Sequence, residues 1–208
     1  MNIYLLRHGE TDWNKDGRIQ GHTDIPLNQK GRIQVGQAAE VLADLPFDMD
    51  SIYSSPLIRA YESAEIAADR LLYNKKKIIV EPMLIERCFG EAEGLTAAER
   101  EARFPNYQYA DTGYYFPGIE SYKDLLKRAR TVFEKIVDSC KEDENILIVS
   151  HGALLFAMIA TLTDEKISFF GNAVKLDSAS LHLITYLNGG ITLEEYNADE
   201  SRFVQINF

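Results

Sequence analysis

Cysteine is scarce in this chain, with only Cys88 and Cys140 among 208 residues, which excludes a disulfide scaffold and fits a reducing compartment. No Cys/His cluster has the spacing of a structural zinc site. No apolar run approaches the length of a membrane span, and Met1-Asn2 passes straight into Ile3-Tyr4-Leu5-Leu6 without a basic leader or cleavage site. A cytoplasmic protein without a membrane partner is the expectation. Positive charge is in deficit as well: 22 Lys and Arg against 32 Asp and Glu give a net charge of -10. That balance argues against nucleic acid or an anionic membrane surface as the main partner. Internal repeats and low-complexity tracts are missing. With 46% hydrophobic and 26% charged residues the composition is that of a globular protein, and the length suits one domain over 1–208.

Four strand-like runs stand out: Ile3 to Arg7, Ser51 to Ser55, Ile78 to Val80 and Ile146 to Ser150. Helical patterns separate most of them, which predicts a three-layer α/β/α fold with a mostly parallel central sheet. Asn28 is placed to cap a helix with Val35, Ala39 and Leu42 inward and Pro46 as its stop. Ser55-Pro56 reads as the cap and first turn of a second helix, carrying Leu57, Ala60, Ala64, Ala67 and Leu71 on one face. Ser121 caps a third, with Leu125, Ala129, Val132, Ile136 and Cys140 toward the core. Ala153 to Leu162 is apolar nearly all round, so a buried helix should begin directly after His151. Ser180 to Tyr186 and Ile191 to Tyr196, flanking Asn188-Gly189-Gly190, read as a terminal hairpin at a sheet edge.

Between about 88 and 118 the alternation breaks. Thr96-Ala97-Ala98-Glu99 has the form of a capping box, followed by Phe104, Tyr107, Tyr109, Tyr114, Tyr115 and Phe116 among Pro and Gly. These rings form either a satellite core or a lid, and the segment is read as a small inserted cap.

The chemistry concentrates where strands end. Leu5-Leu6-Arg7-His8-Gly9 and Val149-Ser150-His151-Gly152 each run from an apolar strand into a polar residue and glycine, Arg59 opens the helix after the second strand, and Glu86 follows the third. In a parallel sheet these side chains converge on one crevice at the carboxyl edge. Two guanidiniums and two imidazoles in an acidic protein make a cationic pocket, and forked arginines match the oxygens of a phosphate dianion. An imidazole there can accept the phosphoryl group covalently, since no Ser, Cys or Asp nucleophile competes at these junctions. A partly buried carboxyl group, Glu86, suits protonation of the leaving oxygen and later activation of water. The amide of Gly152, at a helix start, is a further anion donor. Glu10 reads as a structural partner, Thr11 as a capping residue or a phosphate contact, and Trp13 as a packing anchor. His22 and His182 match no junction and read as structural or surface residues. Cys88 lies near the pocket entrance.

Arg7-His8-Gly9-Glu10-Thr11, continued by Trp13-Asn14 and Gln20-Gly21, resembles the signature of the histidine phosphatase superfamily, which includes cofactor-dependent phosphoglycerate mutases. The likeness continues in the family's order through Ser54-Ser55-Pro56-Leu57, Arg59-Ala60, Glu86 to Gly90, Glu93-Gly94, Pro117-Gly118, Glu120-Ser121 and Ser150-His151-Gly152. The resemblance implies that His8 is the phosphorylated nucleophile, that Arg7, Arg59 and His151 bind the transferring group, and that Glu86 is the general acid and base. It places Asn14, Gln20 and Gly21 at further substrate or phosphate contacts, and implies no metal and no cofactor. The expected activity is metal-independent hydrolysis of a small phosphorylated metabolite. The alternatives are a mutase and, less favoured, a phosphate-binding regulatory domain without turnover. Mutases of the family carry Asn after the second His-Gly and an adjacent arginine pair in the cap, whereas here Ala153 follows Gly152 and Arg100 and Arg103 are separated. A homodimer is admitted by the sequence.

Overall fold

The structure is a computed structural model that describes residues 1–105, 118–163, 174, 176–187 and 190–206. Tyr107, Tyr109, Tyr114, Tyr115 and Phe116 of the inserted segment, and Asn188-Gly189 of the hairpin turn, lie outside the described residues.

The strands are β1 (Asn2–Arg7), β2 (Ser51–Ser54), β3 (Ile79–Val80), β4 (Asn145–Ser150), β5 (Leu181–Leu187), β6 (Gly190–Asn197) and β7 (Arg202–Gln205). They form one sheet in the order β3-β2-β4-β1-β5-β6-β7. From β3 to β1 all pairings are parallel, and β5, β6 and β7 extend the sheet antiparallel. The helices are α1 (Asp12–Lys15), α2 (Gln29–Ala43), α3 (Ile58–Arg70), α4 (Ala97–Arg103), α5 (Tyr122–Asp138) and α6 (Gly152–Leu162).

Alternation along the central strands divides the core. Ile3, Leu5, Ile146 and Ile148 pack with Leu125, Ala129, Val132 and Ile136 of α5 and with α6. Tyr4, Leu6, Leu147 and Val149 pack with Val35, Ala39 and Leu42 of α2 and with Ala60, Ala64 and Ala67 of α3. Continuous apolar runs in β1 and β4 are thus explained by helices on both faces of a parallel pair. The expected three-layer arrangement holds, and its register sets the site: Arg7 lies beside Ser150, so His8 and His151 leave adjacent strands side by side. β7 had no counterpart in the sequence reading.

Asn28 caps α2 by accepting the Gly31 amide, Thr96 closes a capping box with Glu99, and Ser121 caps α5 through the Asp124 amide, all as expected. Ser55 does not cap α3. That helix begins at Ile58 with Leu57 as an N-cap lacking a side-chain bond, and the Ser55 hydroxyl instead accepts the Leu57 amide and meets His151. Leu71 and Cys140 are only half-buried, since both lie past the last turn of their helices. β3 is a two-residue edge strand with both side chains exposed.

His182 on β5 is fully buried opposite Leu5, and neither ring nitrogen has a hydrogen-bond partner among the described residues. The Glu195 carboxylate is 4.0 Å away, beyond hydrogen-bond reach, so burial dominates and pushes the imidazole down from 6.5 to about 4. The folded state therefore resists protonation while the unfolded chain accepts it, and stability falls as pH drops from 6.5 toward 4. At about 1.4 kcal/mol per tenfold change in proton affinity, this residue accounts for about 3 kcal/mol. Denaturant midpoints followed from pH 7.5 to 4 should show His182→Leu losing about 3 kcal/mol less than the parent protein. Parallel profiles would refute the assignment.

Candidate active site

Arg7 and His8 leave β1, and the turn beyond them is locked against α2. A side chain on Gly9 would meet the Gly31 carbonyl at 2.3 Å, and one on Gly31 would meet the Glu10 carbonyl at 2.1 Å. Only two glycines permit that backbone contact. Thr11 then caps α1 in a capping box with Asn14, so Thr11 proves to be a capping residue. The Asn14 side-chain oxygen accepts from Thr11, which leaves its amide nitrogen to offer toward the cavity it lines.

His8 is almost fully buried, and its Nδ1 is 2.7 Å from the Gly9 carbonyl. A carbonyl can only accept, so Nδ1 carries the hydrogen and the lone pair belongs to Nε2. Burial, followed by the charges of Arg7 and Arg59, holds this imidazole well below its ordinary value against the smaller opposing effect of the Gly9 bond. It is neutral at pH 7.

Arg59 has no exposed surface, and its fork donates to the Gly21 carbonyl at 2.7 Å and the Thr23 carbonyl at 2.9 Å. Burial lowers it from 12.5 to about 10, so it stays charged, and its Nε–H has no partner. Arg7 donates to the Leu176 carbonyl, and Gly152 packs against its guanidinium.

His151 is fully buried, its ring centroid 5.2 Å from that of His8. Its Nε2 is 2.7 Å from Ser55 Oγ, while Nδ1 has no partner. Ser55 Oγ also accepts the Leu57 amide at 3.3 Å. Burial and the Arg59 charge keep this imidazole well below its ordinary value.

The Glu86 carboxylate crosses to the start of α6. Its Oε1 accepts the Arg87 amide at 2.8 Å and the Leu154 amide at 3.1 Å, and its Oε2 accepts the Ala153 amide at 3.3 Å. The first-turn amides of α6 beyond Gly152 are therefore held by the Glu86 carboxyl oxygens.

A cavity of about 440 Å³ joins Arg7, His8, Asn14, Gln20, Gly21, Arg59, Glu86 and Gly152, with Ile19, Phe89, Phe156 and Leu176 as apolar walls and Arg18 and Arg100 also in its lining. Eight of the nine residues singled out as site residues in the sequence line this cavity, and the ninth, His151, adjoins it with its ring 5.2 Å from that of His8. Gln20 is buried, and its Oε1 has no partner. Sequence reasoning missed Ser55, Arg18 and Glu93. Glu93 accepts from the His22, Thr23 and Phe89 amides and from the Thr23 hydroxyl, tying the 20–24 loop to the 86–93 loop. Gly21 faces that carboxylate at φ +54, where a Cβ would come within 2.1 Å of Glu93 Oε1. His22 is exposed, as expected, and its Nε2 is 2.8 Å from the Glu86 carbonyl. Arg87 and Arg103 turn elsewhere: Arg87 donates to the Glu120 carbonyl at 2.9 Å, and Arg103 pairs with Glu91 at 2.8 Å. Among the described residues no three His, Cys, Asp or Glu side chains are grouped to hold a metal ion, and no helix is long and apolar enough to cross a membrane.

Residues 3–199 match the family described as the histidine phosphatase superfamily (branch 1). The chain belongs to that superfamily. This histidine phosphatase is 33% identical over 197 residues to the Bacillus subtilis (strain 168) protein named uncharacterized phosphatase PhoE, covering 94% of this chain and 93% of that protein. It is 30% identical to 2,3-bisphosphoglycerate-dependent phosphoglycerate mutase 2 of Gloeobacter violaceus, over 77% of this chain and 74% of the mutase. Among solved structures it resembles a mycobacterial glucosyl-3-phosphoglycerate phosphatase in complex with VO3, with a TM-score of 0.82 at 31% identity, covering 95% of this chain and 98% of that one.

Ser55→Ala removes the hydroxyl that fixes the His151 ring. Loss of such a supporting hydrogen bond should lower kcat on p-nitrophenyl phosphate by about tenfold while leaving the fold intact, which steady-state kinetics and a melting curve will check. An unchanged kcat would show that His151 needs no such partner.

Proposed function

We propose that this histidine phosphatase hydrolyses a small phosphomonoester through a phosphohistidine on His8. The observation that carries this reading is the neutral His8 ring, whose Nδ1–H is tied to Gly9 and whose Nε2 lone pair is left for attack beside Arg7, Arg59 and His151. In the first step Nε2 forms a bond to phosphorus as the ester P–O bond breaks, and Glu86 gives its proton to the departing oxygen. Oε2 is the oxygen suited to carry that proton, because it makes a single long bond to an amide whereas Oε1 makes two shorter ones. Water then attacks phosphorus, its proton returns to Glu86, and the P–N bond breaks to restore His8. Arg7 and Arg59, with the His151 imidazole beside His8, supply donors to the equatorial oxygens, the kind of preorganised charge that contributes most in such reactions.

The chemistry of the lining supports a small phosphorylated metabolite as the ligand, with the segment of about 88–118 as the cap that sets its identity. Isolated bridges between Phe89 and Ile119 and between Arg18 and Thr96 brace that segment at its base and against the 18–20 loop. Hydrolysis is favoured over mutase action by the dispersal of the basic side chains. Arg87 and Arg103 are engaged away from the cavity, leaving Arg100 of the three in its lining. A mutase must retain a bisphosphorylated intermediate while it turns over, and a single arginine from this segment is a poor grip for its second anionic end.

Acid-quench and alkali-quench labelling with a phosphorylated substrate tests the intermediate. The adduct should be acid-labile and alkali-stable, and should vanish in His8→Ala. An acid-stable adduct, or undiminished labelling in that variant, would sink the assignment. For the reaction's outcome, 3-phosphoglycerate supplied with catalytic 2,3-bisphosphoglycerate should release phosphate faster than it forms 2-phosphoglycerate. Isomerisation outrunning hydrolysis would make the enzyme a mutase.

A further inference from the structure

We propose that Arg128 of α5 is a positioning residue for Glu86, and that with Glu120 it forms a clasp holding the acid-bearing loop to the base of the inserted segment. The inference rests on the reading of Glu86 as the general acid.

A guanidinium has five N–H donors in a fixed plane, and Arg128 places all of them. Nε and Nη2 grip the two oxygens of Glu120 at 2.8 and 2.7 Å. Nη1 donates to the Met83 carbonyl at 2.8 Å and the Ile85 carbonyl at 2.7 Å, and the second Nη2 hydrogen reaches the Glu86 carbonyl at 3.2 Å. Both charged side chains of the pair retain only 17% exposure, so the fork acts where water competes little. The three carbonyls belong to the turn after β3 that delivers Glu86, a stretch with no sheet or long helix of its own to hold it.

Glu120 sits where the inserted segment returns. Its amide donates to the Cys88 carbonyl at 2.9 Å, and its carbonyl accepts from Arg87 Nε. Arg128 therefore binds both flanks of that base, residues 83–86 on one side and 120 on the other. The Glu86 carboxylate is meanwhile bonded to α6, so its backbone must be fixed independently if the Oε2 proton is to meet a leaving oxygen beside His8. The Glu86 carbonyl is held from two directions, by Arg128 and by His22 Nε2. Lysine in place of Arg128 would keep the charge and lose the planar fork.

The test compares kcat on an alkyl phosphate and on p-nitrophenyl phosphate for the parent enzyme, Arg128→Lys, Glu120→Gln, Glu86→Gln and the Arg128→Lys/Glu86→Gln double variant, with inhibition by inorganic phosphate and Tm measured alongside. A leaving group that needs no proton masks the loss of an acid, so Arg128→Lys should lose about tenfold on the alkyl ester and about twofold or less on the nitrophenyl ester. Phosphate inhibition should change by less than about twofold, because the anion-binding donors are untouched. In the Glu86→Gln background the same substitution should cost less than about twofold, the coupling expected when one residue acts through another. Glu120→Gln keeps the side chain's shape and should shift the two esters in the same sense, and it carries the comparison if Arg128→Lys lowers Tm. Equal losses on both esters, or additive losses in the double variant, would overturn the clasp while leaving Glu86 as the acid. Glu86→Gln losing both esters alike would remove the acid assignment itself, and the clasp with it.

Discussion

A guanidinium with no exposed surface, held by two backbone carbonyls, is the constraint to which the site answers. Arg59 donates to the Gly21 and Thr23 carbonyls, and burial, opposed chiefly by the charge of Glu86, brings it to about 10, short of discharging it. A buried charge that cannot neutralise itself calls for a partner of opposite sign, which is the physical ground for proposing a phosphate dianion between Arg7 and Arg59. Burial, reinforced by that charge, holds the His8 and His151 imidazoles well below their ordinary value.

Carboxylates do the complementary work at one remove. Glu93 organises the 20–24 loop whose carbonyls hold Arg59, and Glu86 occupies the amides that open α6. Among the described residues Arg7, Arg18, Arg59 and Arg100 line the cavity, with Glu86 the one acidic side chain in that lining. In a protein of net charge -10, this makes the cavity a local reversal of sign.

The fold was legible because parallel central strands write continuous apolar runs. β1 and β4, with their neighbouring helices, could be read almost to the residue, and the strand ends then named Arg7, His8 and His151. Illegible features were those set by tertiary contact. Ser55 looks like a helix cap locally, yet its hydroxyl is claimed by an imidazole 96 residues away in sequence. Glu93 and Arg128 lie in ordinary polar patterns, and their roles arise only when loops distant in sequence meet. β7, with a half-exposed pattern and only four residues, carries little periodic signal.

Chemistry and specificity are carried by different parts of this architecture. His8, Arg7 and His151 leave central strands buried under both helical layers, where geometry is fixed by close packing. The far wall of the cavity is built from Ile19, Phe89, Ala97 and Arg100, residues of loops and of the short α4. Changes in those loops can alter which ester enters without disturbing the strand ends, except at one place. Glu86 stands on the boundary, with its side chain anchored to the rigid α6 and its backbone to the base of the variable segment. Any remodelling of the cap must therefore preserve the fastening of that loop, where three donors of Arg128 converge on residues 83–86 while the other two grip Glu120.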